Sequence, residues 1–215
     1  MIDSIRKPDL IKLERSFYSK NAVRLSIDLL GKYLVHSMGD KELIGKIVEV
    51  EAYMGFSDKA AHSYNGRRTE RTEVMYGEEG HAYVYVIYGM YHCLNVVAAR
   101  KGIAQAVLIR ALEPIKGMDI MAFNRYGDTK KELTKKQMIN LTNGPGKLCK
   151  AFNITKEYNG EDLTGNRLFL CRDKNQEDKF DIVETTRVGI DYAEEAKYFP
   201  WRFYIKDNPY VSVRG

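Results

Sequence analysis

The sequence predicts an α+β fold: one domain over residues 1–215, with a curved antiparallel sheet and helices around it. Three observations lead there. Segments rich in Val, Tyr and Ile follow one another at short range with turn residues between them, which favours hairpins over long crossovers. Few segments carry a helical repeat, so a regular strand–helix alternation is missing. A chain of 215 residues with 44% hydrophobic content has enough apolar material for one substantial core.

Taken in order, Ser19 is placed to cap a helix whose apolar positions Val23, Ile27, Leu30 and Leu34 recur at helical spacing, with Gly31 as a stop signal. Residues 33–37 and 43–53 read as two strands joined by the polar tip Met38-Gly39-Asp40-Lys41. A second β-rich stretch, 81–99, is interrupted at Tyr88-Gly89-Met90, and a further strand follows at 106–112. Pro114 suits the first turn of a helix running toward Tyr126, and Gly144-Pro145-Gly146 introduces another over 147–152. The lysine-rich stretch 128–136 reads as a loop or exposed helix. Residues 167–172 and 202–206 supply two more strands before the closing Tyr210-Val211-Ser212-Val213. Neither an internal repeat nor a linker is visible.

Composition narrows the function classes. A formal net charge of +5 permits nucleic-acid binding without establishing it. Cys93, Cys149 and Cys171 form an odd, widely spaced set without a CxxC pair, which argues against a disulfide framework or a zinc knuckle and suits a reducing compartment. No apolar run is long enough to span a bilayer, and the first 20 residues hold no signal-like apolar region, so no membrane partner is expected. A cytoplasmic location follows, nucleoid-associated if the source is prokaryotic.

Several residues could carry chemistry. Period-two alternation along 45–53 places Ile47, Glu49, Glu51 and Tyr53 on one face and Val48, Val50 and Ala52 on the other. A solvated sheet face explains the carboxylates; Tyr53 beside Glu51 also allows a partly desolvated base next to a stacking surface. Tyr83, Tyr85, Tyr88 and Tyr91 form either a packed aromatic ladder or a platform on which nucleobases stack. Gly89 at a turn would let Tyr88 project from a hairpin tip as a wedge. His62, His81, His92 and Cys93 match no familiar zinc spacing, and no metal or other cofactor is expected. Asn143-Gly-Pro-Gly-Lys147 lacks the spacing of a nucleotide-triphosphate loop, although a helix start there could meet a DNA phosphate.

Together these segments resemble the alkyladenine (3-methyladenine) DNA glycosylase family from about Leu25 to the C-terminus. The likeness is carried by Glu49-Val-Glu-Ala-Tyr53, Ala60-Ala-His-Ser63, Tyr83-Val-Tyr-Val-Ile-Tyr-Gly-Met-Tyr91 with Cys93 and Asn95, Leu108-Ile-Arg-Ala-Leu-Glu-Pro114, Asn143-Gly-Pro-Gly-Lys-Leu-Cys149, and Arg202-Phe-Tyr with Val211-Ser-Val213. The resemblance implies a base-excision repair enzyme acting on double-stranded DNA that contains damaged purines. It implies that Glu51 is the general base and, with Arg110, positions the attacking water. Tyr53, His62 and Tyr85 match pocket residues around the flipped base, and Asn95 matches one that disfavours normal guanine. Tyr88 matches the side chain that fills the gap left in the duplex. No lysine matches a nucleophile, which implies hydrolysis of the N-glycosidic bond without a Schiff base.

Arg67, Arg68 and Arg71, which follow the His62 motif, are expected to supply positive charge around the pocket, and a monomer is expected because one damaged base offers no two-fold symmetry. Two other classes compete. A damage-binding protein would use the wedge and stacking residues but needs neither Glu51 nor Arg110. An RNA-binding module would use the tyrosine-rich sheet, although no RNP1 pattern is present.

Overall fold

The computed structural model describes residues 8–127, 132–175 and 179–214. Of the stretch 128–136, residues 128–131 lie outside this description, and the remainder runs into a short helix. The strands are β1 (Leu10–Lys12), β2 (Tyr33–Met38), β3 (Lys41–Tyr53), β4 (Ala82–Ile87), β5 (Tyr91–Ala98), β6 (Gln105–Lys116), β7 (Leu168–Asp173), β8 (Ile182–Thr185) and β9 (Arg202–Ile205). The α-helices are α1 (Ala22–Leu29), α2 (Met118–Tyr126), α3 (Lys135–Ile139) and α4 (Pro145–Ala151). Strands run in the order β1-β7-β2-β3-β6-β5-β4, with β9 added to β3 and β8 to β9. Every pairing is antiparallel, the sheet does not close on itself, and the α+β class holds.

Local chemistry explains the hairpins. In the β2–β3 turn Met38 and Lys41 already pair, leaving Gly39 and Asp40 as the tip. Asn21, not Ser19, caps α1, its side chain accepting from the Arg24 N–H at 2.9 Å, while Ser19 reaches Glu79 instead. The helix therefore starts later than a cap at Ser19 would place it. It buries Ala22, Leu25 and Leu29 while Val23 and Ile27 stay half-exposed, and Leu34 belongs to β2. Burying each such Leu is worth about 1.5–3 kcal/mol.

Pro114 lies in β6, opposite Gly45, not in a helix. The ladder is already irregular there, with a register shift between Ile44 and Gly45, so a residue lacking an N–H is tolerated. The break before α2 is made by Gly117, at φ 80°, where a Cβ would lie 2.5 Å from Leu43 Cδ2. The closing residues 210–213 form turns rather than a strand.

The central feature of the sheet lies in the middle of β3. Ile47 and Val48, neighbours in sequence, both pack into the main core together with Val50 and Ala52. Register shifts on either side of Glu49 make this possible: Val48 is the extra residue on β3 and Arg110 the extra residue on β6. The two bulges oppose one another, so beyond them the strands pair again as before while the faces have exchanged. Strict alternation put Ile47 with the carboxylates; the bulge returns it to the core. The same point is where β3 changes its edge partner from β2 to β9, and the peptide of Ile47 is satisfied by Gly31 N–H and Lys32 C=O.

Candidate active site

The exchange of faces sends Glu49, Glu51 and Tyr53 away from the main core, into a second buried layer formed with β9 and the C-terminal turns. Both carboxylates are fully buried, so the solvated-face reading fails. Glu49 accepts from Arg110 Nε at 3.0 Å, Arg202 Nη1 at 3.1 Å and the Ser212 N–H at 2.6 Å. Glu51 accepts from the Val188 N–H at 2.7 Å and the Tyr53 hydroxyl at 2.9 Å, and its Oε1 lies 3.2 Å from Arg110 Nη1. Two carboxylates thus face two guanidiniums, the condition under which burying charge is bearable. Burial works against the Arg110 charge, yet Glu51 and Glu49 hold its pKa above the ordinary arginine value. Burial, and then the Glu51 charge, push the Tyr53 hydroxyl well above its usual range, so it stays a donor.

Tyr53, His62, Tyr85 and Asn95 line one slot, together with Tyr83 and Tyr192. The His62 ring stands edge-on to Tyr85, with centroids 4.7 Å apart and planes at 78°. Arg71 Nη2 approaches His62 Nε2 at 3.4 Å, and since arginine only donates, the acceptor must be Nε2. His62 Nδ1 then carries the proton and donates to the Tyr83 hydroxyl at 2.9 Å. Burial, followed by the charges of Arg71 and Arg67, lowers the His62 pKa to about 4 and keeps the ring neutral near pH 7. Asn95, paired between β4 and β6, donates through Nδ2 to the Tyr83 carbonyl at 3.0 Å. The slot is partly open and has a volume of about 40 Å³.

Tyr88 stands apart from the slot, at the tip of the β4–β5 hairpin, 83% exposed. Tyr88 and Gly89 both have positive φ, 52° and 71°, and Met90 N–H bonds Ile87 C=O at 3.3 Å, the geometry of a tight hairpin turn. A tyrosine in that region carries about 1 kcal/mol of backbone strain. The hairpin is seated on α4: Gly146 lies so close to Tyr91 that a Cβ there would be 3.1 Å from the ring.

One part of the site went unpredicted. Asp58 and Arg187, both with fully buried side chains, pair through two bonds of 2.6 and 2.8 Å. Asp58 also accepts from the Met54 and Ala60 N–H groups, and Arg187 donates to the Ala52 and Ala196 carbonyls. The guanidinium lies 4.9 Å from the Tyr53 ring centre and 5.0 Å from that of Trp201. The pair thereby fixes the residue before Val188, whose N–H holds Glu51. No local motif announces it.

Of the three arginines after His62, Arg68 pairs with Glu73, while Arg71 stacks on Tyr85. Lys147 Nζ is engaged by Asn140 and Asn143, both at 2.8 Å. Among the described residues no group of three His, Cys, Asp or Glu side chains could hold a metal ion, and no helix is long and apolar enough to cross a membrane. A hollow of about 620 Å³ lies by Leu10, Val35, Ile44 and Phe169; of its charged neighbours Lys116 pairs with Glu42, and Lys12 donates to the Gly165 carbonyl.

Comparison with known proteins places the chain in a family. Residues 16–209 match the family model described as methylpurine-DNA glycosylase (MPG). A protein of Alkaliphilus oremlandii named "Putative 3-methyladenine DNA glycosylase" is 57% identical over 202 residues, covering 94% of this chain and 99% of its own. Proteins of the same name from Clostridium novyi and Bacillus cytotoxicus are 55% and 54% identical, each over 94% of this chain and 99% and 100% of their own. The chain belongs to the methylpurine-DNA glycosylase family and is a DNA glycosylase, a hydrolase of DNA repair.

Proposed function

We propose that this glycosylase takes alkylated or deaminated purines, the class of 3-methyladenine, 7-methylguanine, hypoxanthine and ethenoadenine, out of duplex DNA and hydrolyses the N-glycosidic bond with a water activated by Glu51. The observation that carries this reading is the state of Glu51, which is bonded to the hydroxyl of the slot residue Tyr53. A carboxylate has about four acceptor positions; Val188, Arg110 and Tyr53 occupy three. The fourth suits a water. Set against Arg110, Glu51 can take that water's proton and also stabilise the positive charge developing on the sugar.

Tyr53 and Tyr85 supply flat surfaces for a flipped base, and His62 and Asn95 supply polar edges. Tyr88, strained and exposed, is available to fill the gap in the duplex, offsetting the few kcal/mol that unstacking and unpairing cost. At about 40 Å³ the slot is small for a purine, and Tyr192, 68% exposed, is the lining residue with most room to move aside. No lysine is involved, so the product is an abasic site with an intact strand. One protomer suffices for one base, and a cytoplasmic monomer is the corresponding form.

Single-turnover release of hypoxanthine from duplex DNA, native chain against Glu51→Gln, tests this. Native release and a variant slower by about 10²–10⁴-fold with retained DNA binding are expected. Tight lesion binding without release of any purine by the native chain would replace the reading with a damage-binding one.

A further inference from the structure

Both aromatic walls of the slot carry a guanidinium. Arg71 Cζ lies 4.8 Å from the Tyr85 ring centre and Arg187 Cζ lies 4.9 Å from that of Tyr53, and neither arginine lines the slot itself. The two cations differ in what balances them. Arg187 is buried and bound through both terminal nitrogens to Asp58, so its field is largely offset. Arg71 is exposed, and among the described residues no carboxylate pairs with it. It borders a hollow beside Tyr85 shared with Glu70 and Lys156, whose charges are opposite.

A cation against an aromatic ring draws π density toward itself, so the ring attracts a second cation less well, and the two charges also repel directly. A base stacked on Tyr85 therefore meets a wall whose affinity for positive charge is already engaged. His62, neutral at the other edge, offers no countercharge. We propose that Arg71, acting through Tyr85, sets the substrate preference of the slot: it disfavours purines whose ring bears a formal positive charge from N-alkylation, relative to neutral lesions such as hypoxanthine. This rests on the reading of the slot as the base pocket. Cationic purines are still cleaved, because they leave readily; the slot simply adds little to their recognition.

The test compares single-turnover release of 7-methylguanine and hypoxanthine from otherwise identical duplexes by the native chain, Arg71→Met and Arg71→Lys, at pH 8. At that pH His62 is neutral with or without Arg71. The ratio of cationic to neutral release is expected to rise about fivefold in Arg71→Met, the effect of one exposed cation–π contact, and to stay near native in Arg71→Lys, which keeps the charge. A loss of DNA affinity or of folded protein lowers both rates and cancels in the ratio. An unchanged ratio in Arg71→Met, or an equal rise in Arg71→Lys, overturns the inference while leaving the pocket reading intact. Release of neither base by the native chain overturns both.

Discussion

Glu51 and Tyr88 belong to the same sheet, yet the fold treats them in opposite ways. Glu51 is buried, held by three donors, Arg110 among them, and backed by Glu49 and Arg202. Tyr88 is almost fully exposed and sits in a backbone conformation that tyrosine rarely adopts. On the roles proposed above for Glu51 and Tyr88, the difference follows from when each is needed. A group that stabilises developing charge must be oriented before the reaction, since reorganising it during the reaction would cancel the benefit. A wedge gains its contacts only inside a duplex, so nothing in the free protein has to satisfy it.

Breaking the ordered side of that contrast gives the largest effect on stability. Arg187→Met leaves Asp58 buried without its partner and is expected to cost about 3–5 kcal/mol in urea unfolding, as for other broken buried pairs. Adding Asp58→Ala should recover part of that loss, because the stranded charge is then gone. A cost below 1 kcal/mol for Arg187→Met would mean that the clamp is not what holds the pocket wall together.

The pH dependence sharpens the comparison at an intermediate scale. His62 has a folded-state pKa of about 4 against an ordinary 6.5. Between those values the unfolded chain binds a proton that the folded chain refuses, so stability is complete above pH 6.5 and declines as pH falls toward 4. From pH 7.5 to 5 the native protein should lose about 2 kcal/mol more than His62→Gln. Parallel unfolding curves for the two proteins would show that the ring is not held neutral.

The smallest effect belongs to the exposed side. Tyr88→Gly should raise unfolding stability by up to about 1 kcal/mol by relieving the positive φ, while slowing base release from duplex DNA. Lower stability would mean that the tip makes contacts which the free protein needs.

What could be read in the sequence was what is local. The β2–β3 and β4–β5 hairpins came from alternation and turn residues, and Tyr88 at the tip from Gly89 beside it. Glu51, Arg110 and the four slot residues came from motifs whose order resembles a known family, and the fold brings Tyr53, His62, Tyr85 and Asn95 to one slot, with Glu51 bonded to Tyr53. Asp58 and Arg187 escaped because they are 129 residues apart and neither lies in a recognisable pattern. Ile47 falls on the other face because strict alternation carries no bulge, and the adjacent apolar pair Ile47-Val48 is the one local sign of it. Pro114 was taken for a helix start because its tolerance in β6 depends on an irregularity facing it from β3.

The opposed bulges at Val48 and Arg110 have a consequence for how such a chain can vary over generations. Each contributes one supernumerary residue, and the count balances only between the two strands. Gain or loss of a residue in one strand alone would leave every pair from Val50 and Ile109 to Tyr53 and Ala106 out of step by one. Viable lineages can lengthen or shorten this stretch only in matched events 62 residues apart along the chain, the Val48-to-Arg110 spacing, so its length should be among the most slowly changing in the protein.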